Sequence, residues 1–81
     1  MVVAELVYGG LGRRLAEGVA TLGVVQENMG AYSKALEKFH ESFSLYEEIG
    51  EMGQTAFQYR RMGRIHYLRL GRYEKAREHF L

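Results

Sequence analysis

Gly30-Ala31-Tyr32-Ser33-Lys34-Ala35-Leu36-Glu37-Lys38-Phe39 returns near the end of the chain as Gly71-Arg72-Tyr73-Glu74-Lys75-Ala76-Arg77-Glu78-His79-Phe80. Six of the ten positions are identical, and the two stretches lie 41 residues apart in a chain of 81. What is kept is a glycine, two aromatics, an alanine and a Lys/Glu pair. A spacing of this size is typical of helical units that stack on one another because neither can bury its apolar face alone.

Working outward from the first copy, Tyr32, Ala35, Leu36, Phe39, Phe43, Tyr46 and Ile49 recur with the period of one helix face. Lys34, Glu37, Lys38, Glu41, Glu47 and Glu48 lie mostly elsewhere, so the spacing predicts an amphipathic helix over 33–49. Ser33 stands near its start, and Gly50 and Gly53 stand where a C-terminal cap and a turn belong. Upstream, Leu15, Val19, Leu22, Val25, Gln26 and Met29 predict a second helix over 13–29, ended by Gly30. Downstream, Tyr59, Met62, His66 and Leu70 align on one face over 54–70, with Phe57, Ile65 and Leu68 as a second, partial one. A helix apolar on two sides belongs between neighbours. Gly71 is expected to end it and residues 73–81 to begin another. Breaks this short force antiparallel neighbours.

The expected fold class is therefore all-α, built of antiparallel helix-hairpin repeats. Residues 1–12 form an N-terminal segment: the end of a preceding helix, a tether or a stray strand. Residues 13–53 form the first unit, and residues 54–81 the second, cut off within its second helix.

The bulk composition agrees and excludes several classes of function. Proline, cysteine and tryptophan are absent, and all 10 acidic residues are glutamate. Glu, Lys and Arg without Pro favour helix throughout, and the lack of cysteine removes disulfides, thiolate metal sites and thiol nucleophiles. A net charge of +1 argues against nucleic acid as a general electrostatic partner. Its distribution is uneven: residues 41–58 carry four glutamates and no base, whereas residues 59–81 carry seven bases against Glu74 and Glu78. Glu5 interrupts the first apolar run and no basic segment precedes it, unlike a secretory signal. No stretch approaches the ~18 apolar residues of a membrane span, so a soluble, cytoplasmic protein is expected.

The residues resemble the tetratricopeptide repeat family. The first unit reads Val19-x-x-Leu22-Gly23, then Gly30-x-Tyr32, Ala35 and Phe39; the second reads Tyr59-x-x-Met62-Gly63, then Gly71-x-Tyr73, Ala76 and Phe80. The match covers about residues 16–81, and the period of about 40 resembles the family's longer-repeat branch, found in scaffold and regulatory proteins. One departure stands out. Gly23 and Gly30 are seven residues apart, but Gly63 and Gly71 are eight apart, so the second unit has one extra residue. Small Gly23, Gly63, Ala35 and Ala76 are expected to let paired helices approach, with Tyr32, Phe39, Tyr73 and Phe80 filling the space beside them.

The resemblance implies a groove lined by the first helix of each unit. Residue by residue that gives Ala20, Val24, Glu27 and Asn28, then Arg60, Arg64, Tyr67 and Leu68. Two arginines and a tyrosine there suit an acidic or C-terminal-carboxylate peptide. The competing reading pairs the arginines with Glu41, Glu47, Glu48 or Glu51, where surface ion pairs contribute little.

Other motifs carry less. Glu37-x-x-His40 has the spacing of a di-iron helix motif, but the second unit has Glu74-x-x-Arg77. No metal site or cofactor is expected. His66, on the expected inner stripe, reads as a hydrogen-bonded core residue. Gly10-x-Gly12 lacks the third glycine and the Gly-Lys-Ser/Thr of phosphate loops and reads as a linker. No nucleophile–base or paired-carboxylate arrangement offers a catalytic centre, so the chain is not expected to be an enzyme. The expected function is a protein-interaction scaffold that binds a peptide or helix of a partner; the alternative is a regulatory or sensor module of a larger enzyme or transcription regulator. Exposed repeat ends predict a homo-oligomer, possible through exchanged helices.

Overall fold

A computed structural model describes residues 10–80, with side chains at all of these except 73, 76, 79 and 80. Over this span the chain is all-α: α1 (Gly12–Asn28), α2 (Tyr32–Glu48) and α3 (Met52–Phe80), with no strand among the described residues. The expectations for residues 1–9, for the packing of Tyr73, Ala76 and Phe80, and for Leu81 lie outside the described residues. Among the described residues, no helix is long and apolar enough to cross a membrane.

The two links are built alike, and glycine is the reason. Gly30 has φ +79° and Gly50 has φ +75°, the left-handed region that a side chain disfavours. At the first link the Gly30 N–H donates to the Glu27 carbonyl at 2.9 Å and the Ala31 N–H to the Gln26 carbonyl at 2.8 Å. At the second, Gly50 donates to Glu47 at 3.1 Å and Glu51 to Tyr46 at 3.0 Å. Each pair of bonds satisfies the orphan carbonyls of the helix just ended and turns the chain back on it. Gly53, expected in the turn, lies inside the first turn of α3.

These reversals place α2 between α1 and α3, antiparallel to both, so that α1 and α3 run parallel. The helix in the middle was the best-defined in the sequence. Ala35, Phe39, Ser42 and Tyr46 are buried, and the other residues of its expected stripe are at least half-buried. Ala35, Phe39 and Ile65 form the centre of the core, with Val24, Tyr32, Leu36 and Met62 packed around them. Burying side chains such as Phe39 and Ile65 contributes roughly 1.5–3 kcal/mol each. The Ser42 hydroxyl donates to the Ala16 carbonyl at 2.8 Å, which satisfies a polar group in the α1–α2 seam.

α1 corrects the expected stripe. Its buried residues are Ala16, Val19 and Gly23, whereas Leu15, Leu22, Val25 and Met29 are exposed. The cause is the shape of α2. A Cβ built on Gly23 would lie 2.7 Å from Cε1 of Phe39, closer than carbon atoms can approach. The Phe39 ring therefore occupies the space that a side chain at position 23 would need, and α1 turns its small residues inward.

α3 departs further. It runs unbroken through Gly71 for 29 residues, so the expected helix end at Gly71 and separate helix over 73–81 are not formed. Its inner face is Thr55, Gln58 and Ile65, with Arg61, Met62 and Leu68 half-buried. Tyr59, His66 and Leu70, expected inside, are exposed, so His66 is no core residue. Gly63 has nothing within 4 Å of an added Cβ; it permits no close helix approach in this chain. Two features favour the straight path. Arg69 is a stronger helix former than Asn28, which holds the same place before Gly30. The Arg72 guanidinium lies 5.4 Å from the Tyr32 ring centroid and 3.5 Å from the Gly30 carbonyl, tying the continued helix to the first link.

Candidate functional site

The parallel course of α1 and α3 brings two of the expected groove residues together. Arg64 donates to Glu27 at 2.7 Å, across the gap between the helices. The Glu27 side chain is 9% exposed and that of Arg64 55%; one end of the pair is sheltered and the other is wet, so it contributes about 0–1 kcal/mol. The glutamates expected to neutralise the arginines do other things. Glu51 pairs with Arg13, and Glu41 with Lys38 at 3.6 Å.

Beside Arg64, one turn toward the start of α3, lies a depression of about 300 Å³ lined by Phe57, Arg60, Arg61 and Arg64. Phe57 organises it. The Arg61 guanidinium lies 4.4 Å from its ring centroid and that of Arg60 5.7 Å. Arg61 also lies 5.3 Å from the Phe39 ring, which ties the depression to the core. Such cation–π contacts hold guanidinium groups flat without neutralising them.

Arg61 is half-buried and held between the Phe39 and Phe57 rings. Burial pushes its pKa down from the ordinary arginine value, the like charge of Arg64 adds to this, and Glu27 opposes it. Its Nε is buried with no hydrogen-bond partner among the described residues. Among the described residues, neither Arg60 nor Arg61 has a carboxylate within ion-pair distance. Of the three guanidinium groups only that of Arg64 is paired with a carboxylate, so an incoming carboxylate would find free donors beside the Phe57 ring.

The remaining expected groove residues divide. Ala20 is half-buried on α1, Val24 packs against the core, and Asn28 is exposed at the end of α1. Tyr67 and Leu68 line a different depression of about 340 Å³, with Tyr32 and Arg72, near the first link. Phe57 and Arg61 were missed by the family-based register. Their i, i+4 spacing is the signal that could have found them, since it places an aromatic and a cation on one helix face.

Glu37, His40 and His66 line a third depression of about 450 Å³ with Leu36 and Met62. Among the described residues, no group of three His, Asp or Glu side chains is placed to hold a metal ion. Comparison with protein-family models, curated proteins and solved structures returns no match. The reading of this face therefore rests on its own geometry.

Proposed function

We propose that this chain is a non-catalytic protein-interaction module of the tetratricopeptide type, whose α1–α3 face takes an acidic segment of a partner protein. The observation that carries the reading is the arginine depression: three guanidinium groups around the Phe57 ring, of which only that of Arg64 is paired with a carboxylate. Its rigid floor comes from helices, which lowers the ordering cost of binding, and its arginines offer paired donors to the carboxylates of a peptide. A near-neutral chain with a local basic pocket suits a short acidic segment better than a polyanion.

The test is the binding of a fluorescein-labelled, glutamate-rich peptide and its glutamine counterpart, followed by fluorescence anisotropy. The glutamate peptide is expected to bind and the glutamine peptide not to. Arg60→Glu, at an exposed position without an ion pair, should weaken binding by about tenfold, the effect of losing roughly 1.4 kcal/mol. Adding Arg64→Glu should abolish it. Unchanged binding by the double variant would refute the reading.

A further inference from the structure

Phe57, Arg60, Arg61 and Arg64 are separated by three, one and three residues, so each arginine lies within one helical turn of the next member of the group. Consecutive residues of a helix point about 100° apart. Arg60 and Arg61 nevertheless fold onto one ring, with guanidinium carbons 5.7 and 4.4 Å from the Phe57 centroid. Arg64 lines the same depression from the next turn. The donors of three side chains therefore gather around one place.

Their charge is only partly balanced. Three guanidinium groups against the one carboxylate of Glu27 leave two positive charges without a counter-charge among the described residues. Burial first, and then the like charge of Arg64, lower the Arg61 pKa, so the arginines stand close enough to repel one another. Two kinds of acid could supply what is missing. Glutamates that share a face of an extended peptide are two residues, about 7 Å, apart, and each brings one charge and two acceptor oxygens. A phosphorylated serine or threonine carries about −1.5 to −2 charges and three strong acceptor oxygens on a single phosphorus. Converging donors meet one compact dianion better than two separated monoanions, and guanidinium forks match phosphate oxygens in pairs.

We infer, building on the acidic-segment reading of this face, that the depression takes a phosphorylated serine or threonine of the partner's segment. Arg60 and Arg64, both exposed, donate to the phosphoryl oxygens, while Arg61, half-buried between the Phe39 and Phe57 rings, adds charge from the core side. The phosphodiesters of a nucleic acid carry one charge each and are strung along a backbone. A net charge of +1 and a cluster confined to one depression suit the single phosphoryl group of a peptide instead.

Fluorescence anisotropy of the full chain with three labelled peptides tests this. The peptides share one glutamate-rich sequence and differ at a central position, which is serine, glutamate or phosphoserine. The phosphoserine peptide should bind about tenfold more tightly than the glutamate one, the effect of one added charge-assisted hydrogen bond, and the serine peptide should bind most weakly. Arg60→Gln should remove most of the preference for phosphoserine. Arg69→Gln makes the same charge change at an exposed position of α3 outside the depression and should leave the preference intact. Circular dichroism of both variants should match the parent chain. A glutamate peptide that binds as tightly as the phosphoserine one would overturn the inference and leave the acidic-segment reading standing, whereas binding of none of the three would overturn both. A preference untouched by Arg60→Gln, or lost equally in Arg69→Gln, would mark diffuse attraction and overturn it too. So would tighter binding of a single-stranded RNA oligomer, or of vesicles containing a phosphorylated phosphatidylinositol, than of the phosphoserine peptide.

Discussion

Gly23 and Gly63 occupy matching places in the two echoed units, yet one is filled and the other is open. At Gly23 the Phe39 ring sits where a side chain would go; at Gly63 nothing lies within 4 Å. Gly30 and Gly71 differ in the same way, since the first turns the chain at φ +79° and the second lies within α3. Nearly the same ten residues therefore form a hairpin once and a straight helix once. The local sequence is compatible with both. Packing decided the first case: turning at Gly30 delivers Phe39 to Gly23 and a buried ring to the core. In the second unit the extra residue changes the register, and turning at Gly71 would not repeat that fit.

The comparison can be broken most sharply at Phe39. Phe39→Ala should cost about 3–5 kcal/mol, enough to remove most or all of the helical circular-dichroism signal of a chain with so small a core; a variant that stays fully folded would mean that Phe39 does not hold the hairpin. A smaller and more diagnostic contrast is Gly23→Ala against Gly63→Ala, followed by urea denaturation. The first should destabilise by about 1–3 kcal/mol through overpacking against the ring. The second should stabilise by about 0.5–1 kcal/mol, because alanine replaces glycine in a helix with room to spare. Changes of the same sign would erase the distinction between the two units. The gentlest pair is Gly30→Ala against Gly71→Ala. A left-handed residue at position 30 should cost about 1–2 kcal/mol, while position 71, being helical, should gain about 0.5–1 kcal/mol. Destabilisation by Gly71→Ala would show that the chain turns there after all.

How much was legible follows from the same contrast. α2 could be read residue by residue because it is covered on two sides, so its apolar pattern and its burial coincide. The glycines of the links were legible because only glycine adopts that backbone without strain. α1 was misread because hydrophobicity is a poor guide where size decides: Ala16 and Gly23 go inside and Leu15 and Leu22 stay outside. At the candidate site, the approach of Arg64 to Glu27 was implied by placing both in one groove. Phe57 and Arg61 were not, because the family-based register counts from Gly63 and passes over both positions.

The amino-acid order alone determined that residues 10–80 are helical, where the two turns fall and that one stretch of sequence recurs. These properties follow from spacing, helix propensity and the backbone freedom of glycine, all of them local. Which side of each helix faces inward, whether Gly71 bends and which arginines keep a free charge were decided only by the assembled structure. Each depends on the shape and charge of a neighbour that lies far away along the chain.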